Sequence, residues 1–257
     1  MKDWDIQINY GIKTGFNDAF IILTDKRNEI LANCKDEDER QRTAELIRPI
    51  LRGRDIKRYG YVDNGLYLIN THNGVRGRIP RIKIEDYPAV KAHLDQYWDK
   101  IATRADKGDT PYNLRNCAYL EDFFKPKIIW KRIGSILRFS YDNEGCLGLD
   151  STCFATGEHI EYLCCVLNSL MGHYLLKDSP KTGTGDLLVS VQAIEPASIP
   201  YDEQQEKQLS VLLKKQIANP SNATEKEIND IVFTMYSLSP NEQEYIMQYV
   251  KLSQQSL

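Results

Sequence analysis

Beyond Pro200 every stretch of the chain reads as helix, whereas before it the apolar runs are short and broken by glycine. Leu209, Leu212, Leu213 and Ile217 share one face of a first helix, and Ile228, Ile231, Val232, Met235 and Tyr236 share one face of a second. Thr224-Glu225-Lys226-Glu227 reads as a capping box opening the second helix, and Ser239-Pro240-Asn241-Glu242 opens a third in the same way. Eight acidic and five basic residues in this tail predict a charged-surface helical module over 201–257, with no nucleic-acid face.

The first 200 residues have a different grain. "INYGIKTGFNDAFIIL" reads as strand, Gly-rich turn, strand, with Gly11 and Gly15 bracketing Lys13. Residues 35–51 carry a helical pattern that ends at Gly53. "YVDNGLYLIN" predicts a hairpin, because Asn64-Gly65 suits a turn with positive φ at both positions. A helix follows over Ile84 to Ala105, then a strand in "KPKIIWKRIG" and a hairpin in "LRFSYDNEGCLGL". "GEHIEYLCCVLNSLMGHYLLK" predicts one strong helix. The expected architecture is mixed α+β: a strand-and-hairpin-rich domain with packed helices over 1–200, plus the helical module.

Charge is unevenly placed. The chain has a formal net charge of −3, which argues against coating a polyanion through total charge. Yet Arg48 to Lys83 contains nine Lys/Arg against Asp55 and Asp63, a local excess of 9 − 2 = +7. "ELIRPILRGRDIKRYGY" alone holds Arg48, Arg52, Arg54, Lys57 and Arg58. A second run, Lys125, Lys127, Lys131, Arg132 and Arg138, has no acid between its ends. Tyr59, Tyr61, Tyr67 and Trp130 are interleaved with these cations, which suits a surface that meets phosphates and bases.

Catalytic motifs are thin. "GIKTGF" lacks the Gly-Lys-Ser/Thr of a phosphate-binding loop, and "GTGD" is a lone Gly-x-Gly. Asp55-Ile56-Lys57 has the Asp-x-Lys spacing of a metal-dependent nuclease but no Pro-Asp pair upstream. The six cysteines lack metal spacing and read as free thiols of a reducing compartment, and the four histidines are isolated. No Asn-Pro-Pro-Tyr tetrapeptide is present to grip a flipped base. No apolar run reaches the ~18 residues of a membrane span and no signal-peptide core opens the chain, so a cytoplasmic location and no membrane partner are expected.

Eight segments then occur in a telling order: "GIKTGFNDAFII", "ELIRPILRGRDIKRYGY", "IEDYPAVKAHL", "FFKPKIIWKRI", "STCFATG", "YLCCVLNSLMGHYLL", "SIPYDEQQ" and "ATEKEINDIVFTMYSLSPNE". From about Tyr10 to Tyr249 the chain resembles the TaqI-like C-terminal specificity domain of type IIG restriction-modification enzymes and related adenine-N6 methyltransferases. The resemblance implies a target-recognition domain for double-stranded DNA, catalytically silent by itself. It also implies partner domains of a parent polypeptide, upstream: a methyltransferase that binds S-adenosylmethionine, and where present a Mg2+-dependent nuclease. On that view the chain starts where the methyltransferase ends, and needs no cofactor or metal of its own.

The expected DNA contacts are Lys13, Arg52, Arg54, Lys57, Arg58, Lys131 and Arg132 near the backbone, with Gly53 permitting close approach. The loop "NTHNGVRGRIPR" offers Asn73, Arg76, Arg78 and Arg81, of which Asn73, Arg76 and Arg78 have the chemistry for adenine or guanine edges. "SPKTGTGD" is a further candidate loop. Two other readings stay open: a divergent metal-dependent nuclease centred on Asp55 and Lys57, and a protein-interaction module whose basic face meets an acidic partner.

Overall fold

The computed structural model describes residues 4–255. Its strands are β1 (Ile6–Tyr10), β2 (Ile21–Leu23), β3 (Ile47–Leu51), β4 (Leu66–Ile69), β5 (Lys127–Lys131), β6 (Ile133–Gly134), β7 (Phe139–Asp142), β8 (Leu147–Gly148), β9 (Thr152–Gly157) and β10 (Leu187–Leu188). They form a sheet in the order β1-β9-β5-β7, a second in the order β2-β4-β3-β8, and a β10-β6 ribbon. The first sheet is antiparallel throughout, whereas β3 and β8 run parallel. The fold is mixed α+β, as expected.

The first sheet separates two cores. Side chains alternate across a strand, and here the alternation divides the residues cleanly. Ile128, Trp130, Cys153 and Ala155 enter one core, while their neighbours Ile129 and Phe154 enter the other. Burial on both faces explains why β5 is a continuous apolar run rather than an alternating one. The first core is completed by the buried helix Ile160–Asn168, through Leu163, Cys164 and Leu167, and by Leu209, Leu213, Ile228 and Val232 of the C-terminal helices. The second core lies between the first sheet, the second sheet and the helix Pro88–Asp95.

Several expected elements come out differently, each for a local reason. The helix expected over 35–51 runs only from Glu37 to Leu46, and Ile47–Leu51 is β3. Asp36 starts it by accepting from the Glu39 backbone N–H at 2.7 Å, with Glu37, Asp38 and Glu39 in the first turn. Pro49 stops it: proline clashes with the preceding turn, and the residue before it is forced extended. Glu39 is fully buried, its carboxylate accepting from the Ala89 N–H (2.9 Å) in the first turn of the helix Pro88–Asp95 and from the Lys35 N–H (3.0 Å).

Neither expected hairpin pairs its own flanks. Asn64-Gly65 makes a turn in which only Gly65 has positive φ, and β4 pairs with β2 and β3. The turn between β7 and β8 exists, but β8 leaves for the second sheet to pair with β3. The strand expected after "GIKTGF" is delayed by the short helix Asn17–Phe20, so β1 and β2 lie in different sheets. Gly11 makes this departure possible, because a Cβ there would sit 1.9 Å from the Leu149 carbonyl oxygen. The helix expected as one piece from Gly157 to Lys177 breaks at Ser169, whose side chain caps the second segment, Leu170–Leu175. The region Ile84 to Ala105 is helical in pieces, Ile84–Asp86, Pro88–Asp95 and Trp98–Ile101.

The C-terminal helices are Glu203–Ala218, Asn222–Met235 and Pro240–Gln255. Ser239 and Glu242 form the reciprocal capping box that was expected. The second helix instead starts three residues early, capped by Ser221 on the Thr224 N–H. No helix among the described residues is long and apolar enough to cross a membrane.

Candidate nucleic-acid interface

The Arg52–Arg58 turn leaves the C-terminal end of β3 and lies against the first sheet. Arg52 donates two guanidinium hydrogen bonds to Asp55, both at 2.9 Å, and its backbone N–H donates a third at 2.8 Å. Asn64 donates another at 2.9 Å. Burial pushes the Asp55 carboxyl up, but these donors outweigh it and hold the group below the ordinary carboxylate value. Asp55 is therefore saturated by protein donors and presents no open side to a metal, which removes the basis for a nuclease centred on it. Among the described residues no group of three His, Cys, Asp or Glu side chains could hold a metal ion.

Arg58 points the other way. It pairs with Glu225 of the C-terminal helices at 2.9 Å and donates to the Asn168 carbonyl at 2.7 Å. Arg54 and Lys57 are exposed and have no ion pair among the described residues, and the Lys57 ammonium donates to the Arg54 carbonyl at 3.4 Å. Gly53 packs on the aliphatic stem of Lys131, whose Cγ would lie 2.8 Å from a Cβ at this position. The close approach that Gly53 permits is thus to Lys131, and it joins the two basic runs in space. Lys131 is exposed, Arg132 sits over the Tyr10 ring at 6.0 Å, and Lys13 pairs with Asp106 at 2.8 Å.

The second basic segment lies at the opposite end of β3, where the Asn70 N–H donates to the Leu46 carbonyl. Five strand residues separate the two ends, roughly 17 Å at ~3.3 Å per residue. Here Asn73, Arg76, Arg78 and Arg81 line one cleft of about 650 Å³ together with Asp109 and Asn116. Arg78 pairs with Glu121 at 2.8 Å and donates to the Ala118 carbonyl at 3.1 Å. Arg81 pairs with Asp109 at 3.0 Å. Asn73 donates to Asp109 and Asn116 and accepts from the Asp109 N–H. Arg76, at the hairpin tip, is exposed and has no partner among the described residues.

The local excess of +7 is smaller in space than along the chain. Asp109, Glu121 and Glu225 arrive from segments 28 to 167 residues away to meet Arg81, Arg78 and Arg58. Lys127 is also lost to the surface: it is fully buried and paired with Asp142. Tyr59 and Trp130 belong to the core, and the Tyr61 hydroxyl donates to Asp142 at 2.9 Å. Asp109, Asn116 and Glu121 carry no sequence signal of their own, since each matters only through its neighbour across the cleft. The cysteines are all free, and burial pushes Cys117 and Cys146 up to about 11, so none is a ready thiolate.

His173 adds a pH dependence beside Arg58. Burial first, and the Arg58 charge second, push its imidazole down from 6.5 to about 4. The folded chain therefore stays unprotonated while the unfolded chain takes up a proton, so stability present above pH 6.5 is lost as pH falls toward 4. We expect His173→Phe to lose less melting temperature than the parent between pH 7 and 4.5. Equal losses would remove His173 from the acid limb.

The structure is thus a mixed α+β body with exposed cations near both ends of β3. Residues 48–189 match the model of the TaqI-like C-terminal specificity domain, more than half of the chain, and the chain belongs to that family. Among solved structures it is similar to the type IIL restriction-modification enzyme MmeI, determined in complex with DNA, at 10% identity and a TM-score of 0.64. The match covers 97% of this chain and 35% of that one, so the chain spans about a third of that enzyme's length. The type IIG restriction endonuclease BpuSI aligns at 13% identity over 90% of this chain and 31% of that one, with a TM-score of 0.44. No curated protein matches.

Proposed function

We propose that this chain is the target-recognition part of a restriction-modification enzyme, which binds double-stranded DNA and directs adenine-N6 methylation and cleavage. Both reactions belong to other domains of the parent polypeptide, which would bind S-adenosylmethionine and Mg2+. Residues 1–200 form the recognition domain, and residues 201–257 the module that packs back on the larger enzyme. The observation that carries this reading is the Gly53 turn seated on the Lys131 stem, which brings exposed Arg54 beside Lys131 from two basic runs far apart in the chain, with Lys57 following on the same turn, its Nζ 3.4 Å from the Arg54 carbonyl. Family membership and the likeness of fold to an enzyme solved with DNA support it.

Phosphate contacts fall to Arg54, Lys57 and Lys131, because Arg52 and Arg58 already hold carboxylates. The test is a salt series of gel shifts on duplex DNA. Each phosphate contact contributes about 0.9 to the slope of log affinity against log salt. The triple Arg54→Ala, Lys57→Ala, Lys131→Ala variant should therefore lower the slope by about 2.7. An unchanged slope would place the DNA elsewhere.

A further inference from the structure

We propose that Arg76 is a specificity-determining residue that reads a guanine in the major groove, at the tip of a hairpin built to carry it. The proposal rests on the DNA-recognition reading above. Val75 and Ile79 form an antiparallel bridge in which each N–H donates to the other's carbonyl at 2.9 Å, and the Arg78 N–H closes the turn on the Val75 carbonyl at 2.9 Å. Gly77, next to Arg76, has φ +77° and nothing within 4 Å of where a Cβ would stand, and Arg76, Gly77 and Arg78 are all exposed, so the tip stands out to solvent while only the Arg78 side chain reaches back, to Glu121. The base of the hairpin is the reverse. A Cβ at Gly74 would lie 2.5 Å from the Ile79 carbonyl oxygen and 2.7 Å from the Arg81 nitrogen, so backbone meets backbone there. A free tip on a stiff base is what insertion into a groove requires, and a two-stranded ribbon fits the major groove of B-DNA.

The side chains divide in the same way. Glu121 holds Arg78, Asp109 holds Arg81, and both ends of the Asn73 amide are engaged by Asp109 and Asn116. These groups shape the cleft and are positioning residues. Arg76 alone among the four keeps all its guanidinium donors unengaged. A guanidinium presents two parallel N–H groups that match guanine O6 and N7. The nearby Glu121 and Asp109 lower the net positive charge at the cleft, which disfavours a phosphate there and leaves base-edge recognition as the use of the free guanidinium.

The test is selection of duplexes from a randomised library by the chain and by Arg76→Ala, followed by sequencing of the bound pool. Arg76 is exposed and makes no hydrogen bond or ion pair among the described residues, so the variant should melt with the parent. The parent pool should contain a position with strong preference for guanine. That preference should fall by ~5- to 150-fold in Arg76→Ala, the equivalent of about 1–3 kcal/mol for one bidentate base contact, while other positions hold. A variant that keeps the guanine, or that loses affinity evenly across all sequences, overturns the proposal. If the parent binds every duplex with a steep salt slope and selects none, Arg76 is not a reader although DNA binding stands. If it binds no duplex at all, the recognition reading falls with it.

Discussion

Replacing Lys127 with Met should destabilise the fold by about 3–5 kcal/mol, the range for removing one partner of a buried ion pair. The Lys127 ammonium has no solvent exposure and donates to the Asp142 carboxylate and to the Phe123 carbonyl (2.6 Å). Without it, Asp142 would keep only the Tyr61 hydroxyl and the Cys146 and Glu144 N–H groups, which are neutral donors. The carboxylate would then be an uncompensated charge in a medium that solvates it poorly. Adding Asp142→Asn removes that charge and keeps an acceptor for Tyr61, so the double variant should recover at least half of the loss. Urea denaturation of the three proteins measures this. A single variant within 1 kcal/mol of the parent would show that Lys127 does not stabilise the pair.

The second large effect is expected at Trp130, which shares β5 with Lys127. Trp130→Ala should cost about 3–5 kcal/mol of stability, through the cavity left in the core and the lost indole bond. The ring is buried between Phe139 and the helix Ile160–Asn168, and its Nε1–H donates to the Val189 carbonyl at 2.8 Å. A tryptophan that stacked on a base would behave in the opposite way, leaving stability intact and weakening single-base stacking by about 1–3 kcal/mol. Melting and binding of the same variant separate the two. Unaltered melting with weakened DNA binding would return Trp130 to the surface role its position between cations first suggests.

Both residues show why charge and aromaticity read along the chain do not tell a buried side chain from an exposed one. β5 looked like a basic, aromatic strip, because Lys125, Lys127, Trp130, Lys131 and Arg132 lie within eight residues. Side chains of a strand alternate, and this strand has a core on each side. Lys127 and Trp130 were therefore drawn inward, leaving only Lys131 at the strand's exposed end. The helix expected through Leu51 failed for a reason already present in the sequence, Pro49. The unpaired hairpins failed for one that was not: β4 and β8 found better partners in β2 and β3, far away in the chain.

Local pattern alone was enough to establish the mixed α+β class, the three C-terminal helices and the Ser239 cap of the last, the strand in "KPKIIWKRIG" and the order of segments that marks the family. Each of these depends on neighbours within a few residues, where caps, prolines and periodicity act. Packing alone decided which cations are free to meet a ligand. A guanidinium is neutralised by whichever carboxylate stands within about 3–4 Å, and those of Arg58, Arg78 and Arg81 come from remote segments. Only the folded chain shows that Arg54, Lys57, Arg76 and Lys131 are exposed and outside any ion pair among the described residues, whereas Arg52, Arg58, Arg78 and Arg81 are paired.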